Sequence, residues 1–199
     1  NIQGVIASDM DYVFPLENQS KFLGLIPNPI NTEKIAFINN PIQDKIMIFL
    51  GINKGSYLSK GIVYFEKALA IIKEKHNDKI DIQIAQNLPY KEYITLYNKA
   101  HIVLDQVYAF DQGYNALEAM AKGKVVFTGA EKEFEHQYNL TEKVAINALP
   151  DVDYIVKELT HLIEHTTEIE SIRKRARTFI EKEHNYLKVA EKYLEKWQK

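Results

Sequence analysis

Ile46-Met47-Ile48-Phe49-Leu50 is an unbroken apolar run of strand length set between polar segments. A strand with apolar side chains on both faces has to be covered on both, as in a parallel sheet wrapped by helices. The segments that follow keep this rhythm. Residues 61–76 carry Ile62, Phe65, Leu69 and Ile72 at helical spacing, and Ile80, Ile82 and Ile84 alternate in a strand ending at Ala85. Pro89 opens a helix with Tyr93, Leu96, Tyr97 and Ala100 on one face, and Ile102-Val103-Leu104 reads as a third strand. A short helix over 115–122 is closed by Gly123, Val125-Val126-Phe127 follows as a fourth strand, and Val144-Ala145-Ile146 is a weaker fifth. Three helices complete the pattern. Asp151 is the expected N-cap of the first, whose core face is Ile155, Leu159, Leu162 and Ile163. Thr167 and Glu170 have the spacing of a capping box for the second, and the third is expected to bury Tyr186, Ala190, Tyr193 and Trp197. Strands alternating with helices predict an α/β fold with a parallel sheet.

The first 40 residues differ. Gly4-Val5-Ile6-Ala7 and Phe22-Leu23-Gly24-Leu25-Ile26 are short apolar runs, and Pro27-Asn28-Pro29-Ile30-Asn31 continues neither a helix nor a central strand. We read 1–40 as the tail of a preceding domain plus a stiff connector, and 41–199 as the second domain with its terminal helices. The chain opens on Asn1 rather than Met, which fits a piece of a longer protein. The net charge is −2 with acids and bases interspersed, so no basic field argues for nucleic acid or for an anionic membrane. The absence of cysteine excludes disulfides and thiolate metal sites and fits a reducing, cytoplasmic compartment.

In an open parallel sheet ligands bind beyond the carboxyl ends of the strands, which points to the loops starting near Gly51, Ala85, Asp105 and Thr128. The first loop runs from Gly51 to Gly61 and contains Asn53, Lys54 and Lys60; its glycines and lysines suit an anion, although a plain surface loop explains them equally. Neither a GxxxxGK[ST] nor a GxGxxG pattern is present. The segment Asp111-Gln112-Gly113-Tyr114-Asn115-Ala116-Leu117-Glu118 carries more information. A glycine precedes a helix rich in small residues, whose free N–H groups form an anion site. Tyr114, Asn115 and Glu118 share one face, where a carboxylate one turn inside the helix can accept hydrogen bonds from ribose hydroxyls. The same spacing also fits a capping box in which Glu118 only ties off the helix start. His161 and His165 stand at i, i+4 with no evident third metal ligand, and the basic run Arg173–Arg177 lies among Glu168, Glu170, Glu181 and Glu183, where local ion pairing accounts for it.

Leu117-Glu118-Ala119-Met120-Ala121-Lys122-Gly123-Lys124-Val125-Val126 resembles the LEAMAxGxPVV signature of retaining, GT-B-fold glycosyltransferases of the family 4 or "group 1" type. Ile26-Pro27-Asn28-Pro29-Ile30-Asn31 resembles the connector of that family, Lys60-Gly61 its KG pair, and Leu88–Tyr93 through Ala100–Leu104 the helix and strand before the signature. The resemblance spans roughly residues 20–190 with its parts in the right order.

It implies a Rossmann-like C-terminal domain that holds a nucleoside-diphosphate sugar, with transfer to a glycan or lipid-linked acceptor in bacterial polysaccharide assembly. The acceptor would engage an N-terminal domain outside this chain, and membrane contact would be peripheral. Glu118 matches the second glutamate of the EX7E motif and would hold ribose. Gly113, Tyr114 and Asn115 match amides near the diphosphate and sugar, and Lys60 matches the lysine that stabilises departing diphosphate. No metal or other cofactor is implied. Two residues depart from the pattern. Phe110 occupies the place of the first glutamate, with Asp111 beside it as a candidate contact to the hexose, and Asn53 and Lys54 replace the usual arginine of the first loop. A nucleotide-sugar epimerase on the same scaffold and a degenerate, non-catalytic nucleotide-binding module are the rival readings.

Overall fold

The computed structural model describes residues 2–198. Two short parallel strands, β1 (Val5–Ala7) and β2 (Phe22–Leu25), flank helix α1 (Met10–Leu16) and form a small sheet of their own. Then comes the main sheet of β3 (Ile46–Ile52), β4 (Ile80–Gln86), β5 (Ile102–Leu104), β6 (Val125–Thr128) and β7 (Ile146–Asn147). All its pairings are parallel and the spatial order is β4-β3-β5-β6-β7.

The connecting helices are α2 (Ile62–His76), α3 (Tyr90–Lys99), α4 (Tyr114–Ala121) and α5 (Lys132–Tyr138), and the chain finishes with α6 (Val152–Glu164), α7 (Thr166–Glu183) and α8 (Tyr186–Trp197). Successive strand residues point to opposite faces, so β3 feeds two cores. Ile46, Ile48, Leu50 and Ile52 pack with α2 and α6, and Phe49 packs with α3, α4 and α7 residues on the other side. The doubly apolar run is thus an interior strand, next to edge strand β4 and covered on both faces, as its composition requires. At the edge strand β4 nothing covers Ile84, which is 50% exposed.

Asp151 caps α6 by accepting a hydrogen bond from the Tyr154 amide at 3.1 Å. Gly123 closes α4 at φ +73°, a left-handed conformation that costs glycine little. Among the described residues no helix is long and apolar enough to cross a membrane.

Several sequence expectations need correction. Helices α1 and α5 were not anticipated: each is seven residues long, too short to show a helical period, and α1 carries Pro15. Thr167 and Glu170 form no capping box. Helix α7 starts two residues earlier, with His165 rather than Thr167 at the cap position and no side-chain cap, and Glu170 pairs with Arg173 instead. In α8 only Val189 is buried, while Trp197 is 74% exposed, so the stripe Tyr186, Ala190, Tyr193, Trp197 is not a core face. Helix α8 breaks from α7 at His184-Asn185, where the backbone bonds to Ile30 of the connector.

The basic run of α7 is paired as expected and does more besides. Arg175 reaches Glu142 and Glu168, and Arg177 reaches Glu181. Arg173 is buried, and its guanidinium donates to the carbonyls of Gly123, Asn40 and Ile38 at 2.6, 2.8 and 2.9 Å. Arg177 donates to the carbonyls of Ile35, Ala121 and Thr32. Two arginines thus fasten the connector to the end of α4. Arg173→Ala leaves three carbonyls without their donor, and we expect a loss of about 3–5 kcal/mol, read from the denaturant midpoint; a loss below about 1 kcal/mol would show that water replaces the guanidinium.

Candidate functional site

Strand β3 pairs with β4 on one edge and β5 on the other, and α2 and α3 pack on opposite faces. The winding therefore reverses at β3, and a crevice opens at its carboxyl end. A cleft of about 520 Å³ occupies this position, lined by residues that include Gly51, Asn53, Lys60, Asn87, Tyr93 and Asn115. A larger groove of about 1110 Å³ lies at the opposite, amino ends of the strands, around Lys45, Met47, Lys99 and His101. It arises where edge strand β4 is uncovered and has no helix N-terminus facing it, so size alone does not mark the site.

Lys60 is carried by the β3–α2 loop and reaches back under it. Its Nζ lies 2.7 Å from Oδ1 of Asp105, the first residue after β5. Gly61 makes this path possible: its φ is +63°, and a side chain there would overlap Val107 Cγ2. The Val107 amide in turn donates to the Lys60 carbonyl at 3.0 Å, binding the loops after β3 and β5 to each other.

Helix α4 begins behind Gly113, which offers no side-chain cap, and open space surrounds the position where a Cβ would lie. This uncapped start leaves first-turn N–H groups available to an anion. Asn115 is therefore inside the helix rather than its cap, which removes the capping-box reading of Asn115 and Glu118. Its side-chain Nδ2 donates to Asp105 Oδ1 at 2.8 Å. Glu118 is exposed one turn on, and its charge helps to raise the pKa of Tyr93 and Tyr97, whose main cause is burial. The carboxylate thus lies on the side of α4 nearer Tyr93, which lines the cleft.

Along the cleft the structure brings together Lys60, Asn53 and Asn115; Gly113 and Glu118 flank Asn115 at the start of α4 but are not among the lining residues. Asn53 uses its side-chain oxygen to accept from the Gly55 amide at 2.9 Å. Lys54 is exposed in the single turn that follows, Tyr114 is 51% exposed, and neither lines the cleft.

Asp111 is placed elsewhere. Gln112 Nε2 donates to the Gly129 carbonyl at 2.7 Å and the Glu131 amide to the Phe110 carbonyl, which pins this loop on the end of β6. The Asp111 carboxylate consequently faces α1 and accepts the Met10 amide at 2.9 Å. In this structure the expected hexose contact is a contact to the N-terminal helix. Asp11 accepts the Phe110 amide, and the Phe110 ring packs on Phe14 with centroids 4.5 Å apart. Asp105 is the site residue that sequence reasoning passed over. It was visible only as the start of a loop, because nothing in a single aspartate after an apolar strand announces three polar partners.

A sequence model of the family described as glycosyl transferase-like matches residues 63–195. The chain belongs to the glycosyl transferase-like family. Solved structures share the fold: sucrose-phosphate synthase from Thermosynechococcus elongatus has a TM-score of 0.72 at 18% identity, covering 100% of this chain and 58% of its own. A glycosyltransferase from Rickettsia africae gives 0.69 at 16%, covering 98% and 63%. Anabaena HepE, solved with UDP and glucose, gives 0.70 at 12%, covering 98% and 63%. This glycosyl transferase-like chain thus spans about three fifths of each of these three structures. No curated protein matches it in sequence.

Burial, with smaller contributions from the charges of Asp9 and Asp11, raises the Asp111 carboxyl to about 7. A carboxyl raised in the folded state favours folding at low pH, and this contribution is lost as pH climbs toward the folded value. Asp111→Asn keeps an acceptor for the Met10 amide without the charge. Its thermal midpoint relative to the unsubstituted protein should rise between pH 5 and pH 8; parallel curves would show that Asp111 does not titrate in this range.

Proposed function

We propose that this chain is the donor-binding half of a glycosyltransferase that moves a sugar from a nucleoside-diphosphate sugar to a glycan or lipid-linked acceptor. The observation that carries the reading is the convergence of Lys60 and Asn115 at the switch point beside the uncapped start of α4. An ammonium and free helix N–H groups suit a diphosphate, and preorganised donors of this kind stabilise the charge that develops on a departing nucleotide. Glu118, exposed on α4 one turn after Asn115, has acceptor oxygens for ribose hydroxyls. The complex of Anabaena HepE with UDP and glucose supports a nucleotide-sugar as the ligand.

In this reading Lys60 meets the diphosphate and the first turn of α4, from Gly113 to Asn115, meets the phosphates and sugar. The acceptor belongs to a part of the protein outside this chain, so the chain alone binds donor without turnover. Retention of anomeric configuration, bacterial polysaccharide assembly, a cytoplasmic site and peripheral membrane contact complete the proposal on the strength of the family resemblance. The reading involves no metal, no other cofactor and no nucleic acid.

Calorimetry of the chain with UDP, GDP, ADP and their common sugars tests this. One diphosphate series is expected to bind selectively, and Lys60→Ala and Glu118→Ala should each weaken it at least about tenfold, the scale of a lost charge-assisted hydrogen bond. Unchanged affinity in both variants would sink the reading.

Phe110 and the buried Asp111 favour a second reading, a module that binds the nucleotide but does not transfer sugar. Nucleotide binding by the chain, with no transfer by the longer protein to any glycan acceptor, would select it.

A further inference from the structure

The proposed donor cleft has a buried acid beneath its two polar anchors, at a place where a diphosphate site gains nothing from negative charge. The Asp105 side chain is 1% exposed. Its Oδ1 accepts from Lys60 Nζ at 2.7 Å and from Asn115 Nδ2 at 2.8 Å, and Thr128 Oγ1 lies 3.4 Å from Oδ2. Burying a carboxylate is costly unless it is paired and hydrogen-bonded, and here the partners come from three separate elements: the β3–α2 loop, α4 and the end of β6.

We propose that Asp105 is a positioning and specificity-determining residue of the donor cleft, holding the Lys60 ammonium in place and turning Asn115 so that its amide oxygen faces the ligand. The proposal rests on the donor-cleft reading. The orientation of Asn115 follows from chemistry. An ionised carboxylate only accepts, so the NH₂ group of Asn115 must face Asp105, and the amide oxygen diverges from it. Asn115 lines the cleft, and among the described residues no group donates to its Oδ1. At this point the cleft therefore presents an acceptor, which selects a ligand hydroxyl and disfavours a phosphate oxygen.

Lys60 spends one N–H on Asp105 and keeps two for the ligand, and its side chain remains 30% exposed. Because the pair is close to neutral, the cleft holds an anion through the placement of N–H groups and the start of α4 rather than through net charge.

This gives the test a sign. Removing a negative charge from an anion site strengthens binding on Coulomb grounds alone. Positioning predicts the reverse. Asp105→Asn replaces the carboxylate by a neutral amide, which loses the ion pair that holds Lys60 in place and keeps only one acceptor oxygen, and we expect at least tenfold weaker binding of whichever of UDP, GDP or ADP, or its sugar, binds the unsubstituted chain. The loss should shrink in an Asn115→Ala background, because Asp105 acts partly through that amide. Asp105→Glu keeps the charge and displaces it by one methylene, and is expected to weaken binding as well, whereas charge alone predicts no change. It also serves if the asparagine variant does not fold.

Affinity equal to or tighter than that of the unsubstituted chain in folded Asp105→Asn and Asp105→Glu overturns the assignment, as does an undiminished loss without Asn115. If Lys60→Ala and Glu118→Ala lower affinity while the Asp105 variants do not, only the role of Asp105 fails. If no nucleotide binds, or none of the variants matters, the donor-cleft reading fails and this proposal goes with it.

Discussion

Strand β3 must be covered on both faces and paired on both edges, since its side chains are apolar on either side. The fold meets this by sending the chain first to β4 on one edge, across α2, and then to β5 on the other edge, across α3. The reversal leaves the carboxyl end of β3 beneath no crossover, and everything chemical in the molecule is arranged around that gap. Asn53 and Lys60 arrive from the loop after β3, Asp105 from the end of β5, and Asn115 from α4. The buried carboxylate of Asp105 draws Lys60 and Asn115 to one point. Hydrophobic cover and polar convergence are thus two consequences of one winding rule.

Further from the cleft, α7 decides how the N-terminal forty residues lie against the sheet domain. The carbonyls of the connector and of the end of α4 find their donors in Arg173 and Arg177 rather than in a regular ladder. Planar guanidinium groups can serve several carbonyls at once, which a lysine in the same place would not do. What looks on paper like a basic patch is largely an internal fastening, and it explains why the run carries no argument for a polyanion partner.

The loop from Ala109 to Gly113 links two regions. Its first part meets the N-terminal helix through Phe110 on Phe14 and Asp111 on the Met10 amide. Its last residue is the uncapped start of α4. The departure of Phe110 from the family pattern has a physical counterpart here: the ring belongs to an aromatic contact with α1, and the neighbouring carboxylate is spent on backbone.

By itself, the sequence determined the α/β class, the five strands, and the helices long enough to repeat a period. Such features follow from local side-chain patterning, which is why Ile62, Phe65, Leu69 and Ile72 are all buried where the spacing put them. It also determined that Lys60, Asn115 and Glu118 deserved notice, because they stand at strand ends and on a helix start. Tertiary structure alone decided the rest. Helices α1 and α5 are too short to leave a period, and α8 keeps the amphipathic spacing of a core helix but buries only Val189 and leaves Trp197 in solvent. Whether Asp111 or Asp105 would face Lys60 was not a local question: the two lie six positions apart on one loop, and the pinning of Gln112 to Gly129 turns the first away while the end of β5 presents the second. Partners distant in sequence are chosen by which strand ends the winding brings together, and no pattern along the chain records that choice.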